Sequence, residues 1–324
     1  MKVIFLFTLA CIIYIYIGYR FILKAFVEIF KINKSNYKPT LYNNNILSCS
    51  IIICVYNEDK HIKQRVENIL ELDFPKDMIE VIVASDGSTD KTVEIARMFE
   101  PVGIKVISFE RNRGRGITQN ETVKIAKGEV VVFTDAETRF EKGFLRKILG
   151  YFGEERVGCV VGNLGYVGSE RGISQAEGFY WRFEKQIREL ESKLGILGTG
   201  SGACMAVRRE LWRDLSPIDD CDFTTPLDVI LSGNKVVYAP DALAYDVPPA
   251  SIIGELRARV RQTSRNLVGT LKRWSWRGWV KFPLVSWGLL SHKLLRWFTP
   301  FFLLAAFISN VTLLDEGLTY QAAL

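Results

Sequence analysis

The hydrophobic positions of this chain fall into two kinds of pattern. An uncharged apolar run covers residues 3–19, and residues 297–314 are apolar apart from a few uncharged polar side chains. Runs of this length are typical of helices that cross a bilayer. Between them, short apolar runs alternate with segments whose apolar residues recur at helical spacing, which predicts alternating strands and helices.

The middle of the chain is predicted to be an α/β domain. Its predicted strands are the apolar runs at 49–55, 79–84, 104–108, 130–133, 157–161, 203–207 and 235–238. Its predicted helices are 59–70, 90–99, 116–126, 142–152, 173–194 and 223–231. Because strands alternate with helices, we expect a mostly parallel sheet with helices on both faces. Residues 198–202, of sequence Gly-Thr-Gly-Ser-Gly, are expected to form a flexible loop.

The charges beside the first apolar run predict its orientation. Only Lys2 precedes the run, whereas five basic residues follow it, namely Arg20, Lys24, Lys31, Lys34 and Lys38. The positive-inside rule therefore places the rest of the chain in the cytoplasm, at the cell membrane. A cleaved signal peptide is the alternative, but no small-x-small cleavage site follows the run.

Six parts are predicted along the chain. They are a transmembrane helix (1–22), a basic juxtamembrane linker (23–48), a cytoplasmic α/β domain (49–250), basic and tryptophan-rich interfacial helices (251–296), a second transmembrane helix (297–314) and an outer tail or the start of a third span (315–324). Between residues 255 and 296 there are ten Lys or Arg and one acidic residue, and five of the seven tryptophans lie between 274 and 297. Aromatic and basic side chains together suit a lipid headgroup layer. The adjoining apolar segment argues against a nucleic-acid partner.

Composition narrows the possible chemistry. The chain has 324 residues, a net charge of +6 and 48% hydrophobic residues, which allows one large core plus membrane helices. Its six cysteines show no Cys-x-x-Cys or Cys/His pattern, so free, buried thiols are expected. With only two histidines, a histidine-ligated metal or a Ser-His catalytic pair is disfavoured.

Acidic side chains follow three of the predicted strands. Asp135 and Glu137 come directly after 130–133, Glu58 follows 49–55, and Asp86 follows 79–84. The carboxyl ends of parallel strands meet at one edge of a sheet, so an acidic crevice is expected there. Carboxylate oxygens suit a hard cation such as Mg²⁺ or Mn²⁺. Taken alone, each stretch is better explained by ordinary turn and helix-capping residues, and the case for a site depends on the three occurring together.

The sequence around these acids resembles family 2 glycosyltransferases. The resembling stretches are Ser50-Ile-Ile-Ile-Cys-Val-Tyr-Asn-Glu58, Val83-Ala-Ser-Asp-Gly-Ser-Thr-Asp90 and Phe133-Thr-Asp-Ala-Glu137. The resemblance covers roughly residues 49–269 and extends to membrane-bound enzymes like the cellulose and poly-N-acetylglucosamine synthases. It implies the GT-A fold and a reaction that uses a nucleotide-activated sugar.

The resemblance implies roles for five residues around the nucleotide. Tyr56 and Glu58 would line the base and ribose pocket, and Asp86 would hydrogen-bond the uracil or the ribose. Arg115 stands where the family usually has a lysine, and Asn120 follows it; both would lie near the nucleotide phosphates.

Asp135 and Glu137 match the family's Asp-x-Asp motif, with Glu in place of the second Asp. The resemblance implies that both hold Mg²⁺ or Mn²⁺, and that Asp135 also contacts the nucleotide sugar. Gly202 belongs to a stretch, 200–209, that looks like the family's acceptor-side glycine-rich loop and strand.

The resemblance also implies a catalytic base after this loop. Asp222 gives the best register, with Asp220 as the alternative, although Cys221 stands where the family usually has an acid. Helix capping beside an acidic loop is the simpler explanation of these acids. Arg259 and Arg261 occupy the place of the family's Gln-x-x-Arg-Trp motif, without its Trp, and would steady the departing diphosphate.

The expected activity is transfer of a sugar, from a UDP-sugar, to a hydroxyl at the cytoplasmic membrane face with inversion at the anomeric carbon. The acceptor would be lipid-linked or a glycan, and the expected partners are membrane lipid and further membrane subunits. Single-sugar transfer is favoured by the altered 257–262 segment and by only two clear spans. A processive polysaccharide synthase and a catalytically inactive membrane scaffold are the alternatives.

Overall fold

The computed structural model describes residues 1–32, 47–166, 175–247 and 252–314. These residues form two compact units. One unit contains Met1–Ile32 and the chain from Trp279 onward, and the intervening sequence, ending at Gly278, forms the other. Most of the predicted linker and the whole of the predicted outer tail lie outside the described residues.

The second unit contains a single mixed sheet within the described residues. Its strands are β1 (Cys49–Val55), β2 (Ile79–Ser85), β3 (Lys105–Ser108), β4 (Val130–Thr134), β5 (Arg139–Phe140), β6 (Val157–Tyr166), β7 (Met205–Arg208) and β8 (Lys235–Asp246). Their order across the sheet is β3-β2-β1-β4-β7-β6-β8-β5. Only β5 and β7 run against the common direction of the described strands. The predicted α/β fold with a mostly parallel sheet is confirmed.

The helices are numbered along the chain. They are α1 (Lys2–Ile13), α2 (Tyr19–Ile29), α3 (Ile62–Leu70), α4 (Thr92–Arg97), α5 (Arg115–Ile125), α6 (Phe144–Gly150), α7 (Gln175–Lys193), α8 (Cys221–Leu231), α9 (Ile252–Arg273), α10 (Trp276–Lys281), α11 (Pro283–Leu289), α12 (Leu295–Trp297) and α13 (Thr299–Val311). The six helices predicted for the α/β domain are all present, with ends shifted by a few residues.

The central strands are buried on both faces, which explains their unbroken apolar sequence. Ile51 and Ile53 of β1 and Val132 of β4 have no measurable exposure. Ile51 lies opposite Val132 in the parallel β1–β4 pair, so the register aligns the ends of these two strands. Removing each such side chain from water contributes about 2 kcal/mol to folding.

Two strands extend well beyond their predicted ends. β6 continues to Tyr166 and β8 to Asp246, although the apolar runs end at 161 and 238. Ala239 pairs with Gly162, and the next pair joins Leu243 to Asn163, so residues 240–242 bulge out of β8. The bulge contains the proline and the aspartate that interrupt the apolar run, and pairing with β6 resumes after it. A strand predicted from an apolar run therefore ends too early.

In the first unit, α1, a π-helical turn at Tyr14–Gly18 and α2 form one apolar helix over Lys2–Ile29. It is long enough to cross a membrane and continues seven residues past the predicted end at 22. In the extension, Phe26 packs against Trp287, with ring centroids 5.8 Å apart. The segments Pro283–Trp297 and Thr299–Val311 pass the same test only together, and they meet at a bend of 58°.

The first unit buries several polar groups and exposes many large apolar side chains. Val3 is 80% exposed and Phe301 66% exposed, whereas Ser309 and Asn310 are buried. The Tyr14 hydroxyl lies 2.7 Å from the Ser291 hydroxyl, and it accepts a hydrogen bond of 2.9 Å from the indole N–H of Trp287. An apolar exterior around internal polar contacts is the arrangement expected of helices surrounded by lipid.

Candidate active site

The carboxyl ends of β1, β2, β4 and β8 lie at one edge of the sheet, because these strands share one direction. β7 runs antiparallel to β4, and its first residue, Met205, pairs with Phe133. The glycine-rich loop before β7 therefore approaches the end of β4, where Asp135 and Glu137 follow. The acidic crevice predicted from the sequence forms at this edge.

The Asp86 carboxylate holds the segment that leads into α5. Its two oxygens accept hydrogen bonds from the backbone N–H groups of Arg113 and Gly114, each at 2.9 Å. The turn is tight: a Cβ atom on Gly87 would lie 2.5 Å from the Arg111 carbonyl carbon, so glycine is required there. Asp86 thus fixes the start of α5, and its bond to the nucleotide stays a prediction.

Glu58, His61 and Glu137 form a cluster at the ends of β1 and β4. The Glu58 carboxylate lies 2.9 Å from His61 Nδ1, and one ligand atom from each residue lies within 4.8 Å of the others. Partial burial, followed by the Glu58 charge, raises the pKa of Glu137. The position of His61 in this cluster was not predicted, because the number of histidines in a chain does not indicate where they lie in the fold.

Arg115, the first residue of α5, joins the two sides of the crevice. One guanidinium nitrogen donates to the Asp135 carboxylate and lies 3.5 Å from the Gly202 carbonyl oxygen, to which it also donates. Burial disfavours its charge, but the carboxylates, Asp135 first and then Asp222, hold the pKa of Arg115 above its usual range. Arg115 therefore lies beside Asp135, and its contact with phosphates stays a prediction.

Asp222 lies in the first turn of α8, against the glycine-rich loop. A Cβ atom on Gly202 would lie 2.5 Å from Asp222 Oδ1 and 3.1 Å from the Arg115 guanidinium. The Cys221 thiol donates to the same carboxylate at 3.4 Å. Burial, and next the Asp220 charge, raise the pKa of Asp222 to about 7, against the opposing effect of Arg115.

The loop at 198–202 is packed, which corrects the prediction of a flexible loop. Thr199 is 3% exposed, and the N–H of Gly200 donates to the Asp222 carbonyl at 2.6 Å. A Cβ atom on Gly200 would lie 2.6 Å from the Met205 sulfur. The small residues therefore allow close packing between β7 and α8. A glycine-rich composition is equally typical of flexible loops, so the sequence alone did not predict this packing.

Asp246 is a site residue that the sequence did not reveal. It is the last residue of β8, and burial, then the charge of Asp135, raise its pKa to about 6, with Glu137 adding to the effect. Like Asp135, it is an acid at the carboxyl end of a strand. The signal was hidden because the predicted strand ended at 238, before the bulge.

Four predicted residues stand apart from the acidic cluster. Tyr56, directly after β1, is 48% exposed and open to a ligand. Asn120 is buried, and its side-chain amide exchanges two hydrogen bonds with the backbone of Leu215, at 2.8 and 2.9 Å. Its role here is therefore to hold the segment before α8, a correction to the prediction at the phosphates. Arg259 and Arg261 are exposed on α9, and their part at the diphosphate stays a prediction.

The donor set fits Mg²⁺ or Mn²⁺. The charge of Asp135 contributes to the raised pKa of both Glu137 and Asp246, and Glu137 adds to the effect on Asp246, so these three carboxylates lie near one another. Glu58 and His61 add a further carboxylate oxygen and one nitrogen beside Glu137. Converging carboxylates that repel one another gain most from a hard divalent cation.

Comparison with known proteins agrees with the family that the sequence motifs resemble. Residues 50–216 match the family model described as glycosyl transferase family 2. The chain is similar to the poly-beta-1,6-N-acetyl-D-glucosamine synthase of Staphylococcus epidermidis, with 26% identity over 219 residues that cover 65% of this chain and 53% of the relative. The chain thus spans about half the length of that relative.

Two solved structures share the fold. The mannosyltransferase PcManGT from Pyrobaculum calidifontis, in complex with GDP-Man and Mn²⁺, aligns with a TM-score of 0.79 and 20% identity over 99% of this chain and 90% of that one. Residues 1–349 of S. aureus TarS, in complex with UDP-GlcNAc, align with a TM-score of 0.55 and 20% identity over 76% and 72% of the two chains.

Proposed function

This chain belongs to glycosyl transferase family 2, since the family model covers residues 50–216, and we propose that it transfers a sugar from a UDP-sugar to an acceptor hydroxyl at the cytoplasmic face of the membrane. The observation that carries the proposal is the position of Arg115. Its guanidinium reaches both the Asp135 carboxylate and the loop that packs against Asp222. The donor half and the base half of the site are therefore adjacent.

Asp222 is the proposed general base. Its pKa of about 7 leaves it partly ionised near neutral pH, where it accepts the proton of the acceptor hydroxyl as that oxygen attacks the anomeric carbon. Attack from the side opposite the leaving nucleotide inverts the anomeric centre. Asp220 raises the basicity of Asp222 and remains the alternative base.

Asp135, Glu137 and Asp246 are the proposed ligands of Mg²⁺ or Mn²⁺. A bound cation would neutralise the diphosphate and stabilise the departing nucleotide. Arg115, which now donates to Asp135, would be able to donate to a phosphate oxygen of the bound donor instead, since a guanidinium binds either anion well. Tyr56 would stack on the exposed face of the base.

The donor and the acceptor are supported to different degrees. A UDP-sugar is supported by the UDP-GlcNAc complex of TarS, whereas PcManGT was solved with GDP-Man. The polysaccharide-synthase relative supports a glycan acceptor. A lipid-linked acceptor and single-sugar transfer remain our preference, because the 257–262 segment lacks the Trp of the processive motif.

An integral membrane location is supported by the first unit. Its helix over Lys2–Ile29 is long and apolar enough to span a bilayer, and many of its large apolar side chains are exposed. A membrane-spanning first unit would anchor the chain at the membrane, where membrane lipid and further membrane subunits are the proposed partners.

The proposal is tested by measuring nucleotide release from UDP-, GDP- and dTDP-sugars by the full chain in membranes, with Mn²⁺ and a lipid extract as acceptor. Release from a UDP-sugar, lost in Asp135→Ala, is the expected result. Release from a GDP- or dTDP-sugar alone would overturn the proposed donor. No release from any sugar would favour a scaffold that keeps the fold without the activity.

A further inference from the structure

A proline occupies the interior of α8, the helix that carries Asp222. Pro226 lies four residues after Asp222, at the position whose N–H would donate to the Asp222 carbonyl in a regular helix. Proline has no N–H, and its ring presses against the carbonyl four residues earlier. The Asp222 carbonyl is therefore left without its helical partner.

The glycine-rich loop supplies the missing donor. The N–H of Gly200 donates to the Asp222 carbonyl at 2.6 Å. A Cβ atom on Gly200 would lie 3.4 Å from Cγ of the Pro226 ring, so the loop also rests on the proline. Two residues later, Gly202 lies against the Asp222 carboxylate, and the Gly202 carbonyl oxygen accepts a hydrogen bond from Arg115.

We propose that Pro226 is a positioning residue for the proton-accepting Asp222, because it frees the Asp222 carbonyl to bind the glycine-rich loop. The inference rests on the proposed role of Asp222 as the base. The loop then holds Asp222 at two points, the backbone carbonyl at Gly200 and the carboxylate at Gly202. Through Gly202 and Arg115 the same loop connects the base to Asp135.

Replacing the proline restores a competing donor. In Pro226→Ala the new N–H recovers the helical bond to the Asp222 carbonyl, and the loop loses both that bond and the proline ring beneath it. The fold keeps its helix, but the carboxylate is no longer held against Gly202. A base displaced by about 1 Å is expected to slow the chemical step by ten- to a hundredfold.

The test combines hydrogen exchange with kinetics on the full chain in detergent. In the wild-type protein the Gly200 amide is expected to be protected, although it lies in a loop. In Pro226→Ala the peptide over residues 196–203 is expected to exchange about tenfold faster. The rate kcat falls at least about tenfold, while KM for the sugar donor stays within about twofold.

A matched control in the same helix is Val229→Ala, which removes a fully buried side chain and leaves the Asp222 carbonyl alone. It is expected to lower Tm while retaining kcat and the protection of Gly200. Wild-type kcat and Gly200 protection in Pro226→Ala would overturn the inference, as would equal losses of kcat in both variants. If the wild-type chain transferred no sugar at all, the proposed function would fail, whereas the exchange comparison would still report on the Gly200 bond.

Discussion

At the residue scale, the site depends on one contact in which a glycine hydrogen atom lies against a carboxylate. Gly202 leaves space for Asp222 that no larger residue leaves. Because a carboxylate can rotate away from a new methyl group, the site is more sensitive to this position than the fold is.

Gly202→Ala is therefore expected to lower kcat by at least about tenfold with little change in Tm, since the new Cβ would lie 2.5 Å from Asp222 Oδ1 and must displace it. Steady-state transfer and thermal denaturation measure the two effects. Gly143→Ala is the control, because its Cβ would meet Lys147 at an ordinary 3.6 Å. A Gly202→Ala enzyme as fast as Gly143→Ala would contradict the packing described for the base.

The pH dependence of kcat reports on the same carboxylate. A base works only when deprotonated, so with a pKa raised to about 7 the wild-type rate should fall as the pH drops through that value. The Asp220 charge is the second cause of the shift, and Asp220→Asn should move this limb to lower pH while keeping the high-pH plateau. Loss of the plateau would instead identify Asp220 as the base.

Four site residues named from the sequence meet in the structure: Asp135, Arg115, Gly202 and Asp222. These four residues could be named from the sequence because they belong to motifs whose order and spacing along the chain resemble those of family 2 glycosyltransferases. His61 was missed since nothing in its surroundings distinguishes it, and Asn120 was misplaced because a motif position does not reveal that Leu215 occupies its amide.

At the element scale, two ion pairs made by Arg273 join α9 to α8 and to the segment just before it. Arg273, at the end of α9, lies 3.3 Å from the Asp219 carboxylate and 3.6 Å from that of Asp228. Both carboxylates are nearly inaccessible to water. Gly269 of α9 allows the close approach, since its Cβ would lie 3.2 Å from the Thr224 methyl group.

Arg273→Met should lower the free energy of unfolding by roughly 3 kcal/mol, because it removes the ion-pair partner of two buried carboxylates, of which Asp228 keeps the nearby charge of Arg213. Denaturation of the full chain measures the loss. Adding Asp228→Asn to Arg273→Met should recover part of it by removing one unpaired charge. Arg277→Met, on an exposed side chain, is the control, and equal stability of the two single variants would show that the contact contributes nothing.

Elements were predicted well where burial on both faces demands an unbroken apolar run, as in β1 and β4. The prediction stopped short in β8, where a bulge containing Pro240 interrupts the run before pairing resumes. β5 is only two residues long and is defined by its partner β8, so its own sequence carries no periodic signal.

At the scale of the whole molecule, the two units differ in how much apolar surface they expose. The catalytic unit, which contains the sheet, has an apolar core, whereas the unit containing Lys2–Ile29 and Thr299–Val311 buries some large apolar side chains, such as Leu23, and exposes many others, such as Val3 and Phe301. α13 alone has 13 residues and rises about 20 Å, less than the thickness of a bilayer core. A bend precedes α13, and the hydrophobic pattern of the sequence did not predict it. Pro283–Val311 is long enough to span a bilayer only if the segments on both sides of this bend form one broken span.

The variant Ile13→Asp tests whether the exposed surface of the helix over Lys2–Ile29 faces lipid or water. Ile13 is 48% exposed, and on a surface in water its replacement by a charge would be nearly neutral. Inside a bilayer the change costs about 3 kcal/mol and should reduce the protein recovered in membranes after alkaline extraction. Met98→Asp, at a 69% exposed residue of the catalytic unit, is the control; equal recovery of both variants would argue against a membrane-spanning helix.

The most direct test of the account compares donor binding with sugar transfer in Asp222→Asn. The substitution removes the proton acceptor and leaves Asp135, Glu137, Asp246 and Arg115 in place. We expect wild-type affinity for the UDP-sugar with Mn²⁺ and a transfer rate reduced by about a hundredfold or more. Transfer at the wild-type rate would show that Asp222 is not the base and would contradict the mechanism proposed for this site.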